Sequence, residues 1–212
     1  KTILITGANG FLGSFLSSML SNYNFFIVAT GLGKRRFHVG NCIYKEMDVT
    51  LASDCESILH NYRPDIIVNA AALTNVDKCE KEKQACFNIN AFSLFNFMPY
   101  VNKNNTHFIQ ISTDFVFDGT QAPYSEKDIC NPINLYGESK LKAETILLDQ
   151  SCKSTILRTS MTYGQGTHNS NFLNRFKSML KDNTQLKIVD DQYRTPTFVH
   201  DLSQVVLSAI EK

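Results

Sequence analysis

The chain has 212 residues, 43% of them hydrophobic and 19% charged, with a formal net charge of +1. That balance excludes a disordered chain, and the near-zero charge removes the long-range field that draws proteins to nucleic acid or acidic lipid. The length allows one well-buried core, or one core with a small satellite, and a small-molecule partner is the expectation.

The first predicted strand, over 3–6, runs directly into TGANGFLG, and a helix follows over 13–20. Gly7, Gly10 and Gly13 stand in a G-x-x-G-x-x-G spacing, a variant of the dinucleotide fingerprint, in the strand–turn–helix context that such a motif needs. Glycines there permit a tight turn, close backbone approach to a pyrophosphate and close packing of helix on strand. The helix N-terminus, at Gly10, Phe11, Leu12 and Gly13, would then present amide groups to the phosphates. A second strand, over 25–30, ends in GLGKRR. NAD binders commonly place a carboxylate there for the ribose 2′-hydroxyl. No acid precedes Glu46, whereas Lys34, Arg35 and Arg36 follow the strand. Guanidinium groups suit a 2′-phosphate by charge and bidentate geometry, so NADP(H) is the expected cofactor and NAD(H) the alternative. A solvated basic loop is the plain rival reading. A short strand at 43–44 leads to EMDVT, where Asp48, with Val49 beside it, could accept a hydrogen bond from an adenine amino group.

The pattern next predicts a helix over 53–62, closed by Pro64, and a strand over 66–70. A long helix is predicted over 83–101, with Phe92, Phe95 and Phe97 packed against the sheet and KCEKEK (78–83) as its solvated start. Asn90 on that helix either supports the cofactor side of the site or serves as a cap. A strand over 108–112 brings Ser112, Thr113 and Asp114 to a carboxyl end, where α/β proteins bind ligands. The following helix, over 136–148, carries Tyr136 and Lys140 four residues apart and so on one face. A phenol with pKa near ~10 is a poor acid or base at neutral pH. A cation ~4 Å away stabilises phenolate by up to ~4 kcal/mol at an effective dielectric of ~20, about three pKa units. Lys140 is therefore expected to poise Tyr136 for acid–base work, with Thr113 hydrogen-bonded to the substrate oxygen that Tyr136 protonates.

A strand over 155–158 precedes a change of character at Gly164, into GQGTHNSN, and a helix over 172–180, a strand over 186–189 and a helix over 202–210 complete the chain. Strand–helix alternation with continuous apolar strands implies an α/β fold, a doubly wound parallel sheet of Rossmann type. Two units are expected. Residues 1–163 would bind NADP and carry Thr113, Tyr136 and Lys140, and 164–212 would form a partial substrate lobe with a returning strand and helix. The six cysteines show no C-x-x-C pair or zinc spacing and the five histidines do not cluster, so no metal is assigned. Scattered thiols, a short apolar start and no run near the ~18 apolar residues of a membrane span suggest a cytoplasmic protein without membrane partners.

Taken together, these motifs resemble the extended short-chain dehydrogenase/reductases, and among them the dTDP-4-dehydrorhamnose reductase family. The resemblance covers the whole chain and rests on TGANGFLG, VNAAALTNVDKCE (68–80), ISTDFVFDG, PINLYGESKLKAE, LRTSMTYG (157–164) and VDDQYRTPTFVHDL (189–202). It implies a reductase that moves hydride from a nicotinamide to the C4 keto group of a 6-deoxy nucleotide sugar. Thr113 would bind the carbonyl oxygen, Tyr136 would donate the proton, and Lys140 would hold the nicotinamide ribose. Ala70, Ala71 and Ala72 would pass beneath the cofactor, while Asp114, Asn171 and Arg194 would contact the sugar or its diphosphate. Two positions depart from the family pattern: Phe115 where it reads S-T-D-Y, and Met161 where it reads R-T-S-W. Both bear on sugar specificity. Family members continue beyond the segment matching 199–202, so the substrate lobe is expected to be thin here. An epimerase or dehydratase of the same fold is one rival reading. Another is a non-catalytic NADP-binding regulatory subunit like the β subunit of methionine adenosyltransferase. A homodimer is compatible with the sequence but not specified by it.

Overall fold

A computed structural model describes residues 1–37, 41–164, 172–182, 185 and 192–212. Six short, Ile- and Val-rich strands form one parallel sheet: β1 (Thr2–Thr6), β2 (Phe26–Gly31), β3 (Cys42–Glu46), β4 (Ile66–Asn69), β5 (His107–Thr113) and β6 (Ser154–Thr159). Their order is β3-β2-β1-β4-β5-β6, the arrangement of a doubly wound dinucleotide fold. Successive residues of a strand face opposite sides. Thus Ile3 and Ile5 join one core with Leu16 and Leu20 of α1 (Phe11–Leu20) and Val206 and Ile210 of the last helix (Val199–Glu211). Leu4 joins the other, with Ile58 and Leu59 of α2 (Ala52–Tyr62), with Phe97, and with Ile146 and Leu147 of the helix Leu135–Asp149.

The predicted helix over 83–101 is broken. A short α3 (Val76–Lys81), capped by the Asn75 side chain, precedes α4 (Lys83–Asn90), a 3-10 turn (Phe92–Asn96) and α5 (Met98–Asn104). Pro99 lies in the first turn of α5, where its missing N–H costs nothing. Inside a continuous helix it would have removed a hydrogen bond and struck the preceding turn. The apolar period survives the break, which is why the pattern conceals it. Consequently Phe92 and Phe95 stack on each other, 37% and 50% exposed, instead of packing against the sheet, and only Phe97 is buried. KCEKEK spans the end of α3 and the start of α4, and its Cys79 is buried.

The remaining helices are α6 (Leu135–Asp149), α7 (Phe172–Lys181) and α8 (Val199–Glu211). A two-stranded parallel ladder, β7 (Thr162–Tyr163) with β8 (Thr197–Phe198), ties the segment after Arg194 to the chain leaving β6. Helix α8 returns to the main sheet beside α1. The strand expected over 186–189, and Asn171, lie outside the described residues.

Candidate active site

The strand order reverses between β1 and β4, and a parallel sheet opens a crevice at the carboxyl ends on either side of such a point. The glycine turn leaves β1 there. Gly7 has φ +65, in the left-handed region, and a Cβ on it would come within 2.6 Å of the Ala71 nitrogen. A Cβ on Gly13 would stand 2.3 Å from the Gly7 carbonyl oxygen. Only hydrogen fits at either place, so α1 starts hard against both strand ends. Gly10 is its N-cap and has no side chain to bond the first-turn amides. Those donors, at Phe11, Leu12 and Gly13, are open to an anion. Ala70 and Ala71 continue β4 past the turn, and the Ala71 amide donates to Thr6 Oγ1 at 3.2 Å. Below them a polar chain crosses the sheet: Thr6 Oγ1 donates to Asn69 Oδ1 at 2.5 Å, and Asn69 Nδ2 donates to Gln110 Oε1 at 2.8 Å.

Lys34, Arg35 and Arg36 are exposed on the loop after β2. Asn9, which the motif reading passed over, fastens that loop to the glycine turn. Its Nδ2 donates to the carbonyls of Leu32 and Lys34 and to the Tyr44 hydroxyl, at 2.9, 3.1 and 2.8 Å, while its Oδ1 accepts from the Arg36 amide at 3.0 Å. Glu46, the nearest acid, accepts from the Gly33 amide at 3.0 Å. Asp48 uses one carboxylate oxygen on the Thr50 amide and hydroxyl, and Val49 is buried in the core.

At the end of β5 the Thr113 side chain caps the 3-10 turn Asp114–Val116 and is hydrogen-bonded to the Tyr136 hydroxyl. Helix α6 reaches this point because Asn134 caps it and because Gly137 lets it lie on the Phe115 carbonyl, where a Cβ would approach to 2.2 Å. The expected direction of the tyrosine shift is reversed. Burial pushes the Tyr136 phenol up to about 12, partly offset by its bond to Thr113, with Asp114 and two cysteines adding to the rise. Lys140 is not among the groups that act on it. Lys140 is 3% exposed, has no hydrogen-bond or ion-pair partner among the described residues, and burial lowers it from 10.5 to about 8. Asn90 is also buried, and its amide is committed to protein: Oδ1 accepts from Leu73 N at 2.7 Å, and Nδ2 donates to Leu73 O and Ser139 Oγ at 3.1 and 2.9 Å. It joins β4's extension to α6 beside Lys140.

Arg194 comes to the same edge. Its guanidinium lies 4.3 Å from the Phe115 ring centroid and 3.5 Å from Asp114 Oδ2, which also accepts from Ser160 Oγ at 2.9 Å. Phe115 in turn packs edge-on against Tyr136, with centroids 5.8 Å apart. Thr113, Asp114, Tyr136 and Arg194 therefore form one cluster.

A family profile described as the RmlD substrate binding domain matches residues 1–212. The chain is 34% identical over 211 residues to the dTDP-4-dehydrorhamnose reductase of Aggregatibacter actinomycetemcomitans, covering 99% of this chain and 67% of that protein. It is 29% identical to the methionine adenosyltransferase 2 subunit beta of Rattus norvegicus, covering 100% of this chain and 63% of that one. The crystal structure of dTDP-4-dehydrorhamnose reductase from Bacillus anthracis in complex with NADP superposes with a TM-score of 0.86 at 30% identity, over 100% of this chain and 71% of that chain. The chain thus spans roughly two thirds of the length of these relatives. Its sequence and its fold agree on one assignment: the chain belongs to the dTDP-4-dehydrorhamnose reductase family of extended short-chain dehydrogenase/reductases.

Proposed function

We propose that the chain carries the NADPH-binding and proton-donating part of a reductase acting on the C4 keto group of a 6-deoxy nucleotide sugar. The hydroxyl of Tyr136 bonded to Thr113, with the buried Lys140 one turn along the same helix, carries this reading. NADPH suits the residues present. The glycine cradle and the uncapped start of α1 would take the pyrophosphate, Lys34–Arg36 the 2′-phosphate, and Lys140, without a hydrogen-bond partner among the described residues, the ribose hydroxyls beside the nicotinamide. When bound, the nicotinamide supplies the hydride.

Reduction of a carbonyl leaves an alkoxide that must be protonated. With its acidity pushed to about 12, Tyr136 holds its proton throughout the neutral range and gives it up only to a stronger base, which an alkoxide is. Thr113 lies where it can direct the oxygen to that proton. Arg194, paired with Asp114 and stacked on Phe115, is assigned to the substrate's diphosphate. Residues from 164 onward, before α8 returns to the sheet, are assigned to the nucleotide-sugar side. Six unpaired thiols fit a reducing, cytoplasmic setting.

Oxidation of NADPH against a panel of keto-sugar nucleotides tests the reading. Tyr136→Phe should fold and bind NADPH but lose about 10²–10⁴ in turnover, the usual worth of a positioned acid. NADPH binding by the wild type without turnover on any of them would favour a regulatory subunit instead.

A further inference from the structure

Helix α6 has an inward face that is only partly apolar: beside Ala143, Ile146 and Leu147 it buries Ser139, Lys140 and Glu144. A helix that packs on a sheet normally places aliphatic side chains there, and Glu144, 2% exposed, takes no part in the chemistry above. Its carboxylate nevertheless has three donors. Arg158 Nη2 lies 2.7 Å from Oε2, Arg158 Nε lies 3.1 and 3.2 Å from the two oxygens, and Ser112 Oγ donates to Oε1. Ser112 and Arg158 face each other across the β5–β6 ladder, and Ser112 immediately precedes Thr113. Glu144 is also one helical turn from Lys140, on the same face.

Resting on the reductase reading, we infer that Glu144 is a positioning residue: its buried carboxylate joins the helix of Tyr136 and Lys140 to the strand end of Thr113 and keeps the proton on Lys140. A packing role alone would be filled as well by apolar side chains of similar volume, which commonly replace buried ion pairs without loss. The arrangement here differs from a simple pair because it sets two cations, the buried Lys140 and the half-buried Arg158, about one carboxylate. Arg158 has the hydrogen bonds, and Lys140 has only the field. Among the described residues, the other groups facing Lys140 are few. Tyr136 shares its helix, and Cys86 comes from α4, where its thiol also raises the lysine. Around Glu144 stand Arg158 from β6, Ser112 from β5 and Cys130 from the segment before α6. Of these only Glu144 is an acid, so its charge is the main support against the burial that lowers Lys140 to about 8.

The test follows the 13Cε resonance of Lys140, identified by its disappearance in Lys140→Met, from pH 6 to 10. Glu144→Gln should lower the titration midpoint by about one pH unit or more, and Glu144→Asp, which keeps the charge but loses reach, should restore it. Should Glu144→Gln not fold, the double variant Glu144→Met/Arg158→Met removes the pair without stranding either charge and should show a smaller fall, because the Arg158 charge that opposes the lysine proton goes with it. An unchanged midpoint in Glu144→Gln or in the double variant would overturn the inference. NADPH titrations at the same pH values separate it from the reading on which it rests. A wild type that binds no NADPH while its Lys140 midpoint shifts as expected sinks the reductase reading and leaves the role of Glu144 standing.

Discussion

Lys140 shows how function and stability compete in one side chain. Its fall from 10.5 to about 8 means that burying the charged form costs about 3 kcal/mol at neutral pH. No hydrogen bond offsets that cost among the described residues. Replacing Lys140 by methionine, similar in length and apolar, should therefore raise the melting temperature of the unliganded protein by about 4–10 °C for a chain of this size. The same variant should weaken NADPH binding at least tenfold. Thermal melts with and without NADPH check both halves, and an unstable Lys140→Met would mean the ammonium has a partner that stabilises it. Tyr136 and Lys140 were legible from their spacing, because a four-residue interval on a helix fixes their shared face. Glu144 with Arg158, or Asn9 with Tyr44, could not be read that way. These partners are 14 and 35 residues apart and meet only once helix and strand register are set. The direction of the tyrosine shift was illegible for a similar reason. Spacing suggests that the lysine is near, but only the packed site shows how much water has left the phenol.

At the scale of elements, the first turn and first helix were the most legible part, since three glycines have one physical use where a strand meets a helix at a crevice. The structure grades them. A Cβ on Gly13 would stand 2.3 Å from the Gly7 carbonyl oxygen, whereas one on Gly10 would stand 3.2 Å away. Backbone cannot step aside as a flexible side chain does. Gly13→Ala should displace the start of α1, cost about 1–3 kcal/mol in stability and weaken NADPH binding more than tenfold. Gly10→Ala should need a shift of only a few tenths of an ångström and bind NADPH within severalfold of wild type. Equal losses in the two variants, measured by denaturant unfolding and cofactor titration, would mean the turn is not packed as described. Five of the six main-sheet strands were clear from apolar runs, and β3 was seen only at its centre, 43–44, because Lys45 and Glu46 end it in charge. The helix broken at Pro99 was the chief failure. An apolar period that continues through a 3-10 turn looks the same in sequence as one that continues through a helix.

For the whole molecule, the buried ionisable groups set opposing alkaline responses. Lys140 has a folded value, about 8, below its ordinary 10.5, so between those values the unfolded chain holds more protons and stability rises with pH. Cys55 is pushed by burial from 9.0 up to about 12, and burial raises Cys79 as well. For a raised group the folded state keeps the proton that the unfolded chain releases. Its contribution is complete below 9.0 and is lost as pH climbs towards the folded value. Tyr136, raised from 10.0 to about 12, acts in the same sense above pH 10. One rising response thus operates from about pH 8, and at least two falling ones join it from about pH 9. The unliganded protein should be most stable near pH 9, above the usual maximum for proteins, with a shallow rise before it and a steeper fall after it. Urea midpoints at half-unit intervals from pH 7 to 10.5 would trace that curve. Lys140→Met should flatten the rise, and Cys55→Ala should move the fall to higher pH. The two limbs belong to separate groups, so each variant should alter one and spare the other. A stability that declines steadily from pH 7 would show that Lys140 keeps a value near its ordinary 10.5 inside the fold, so that burial does not penalise its charge.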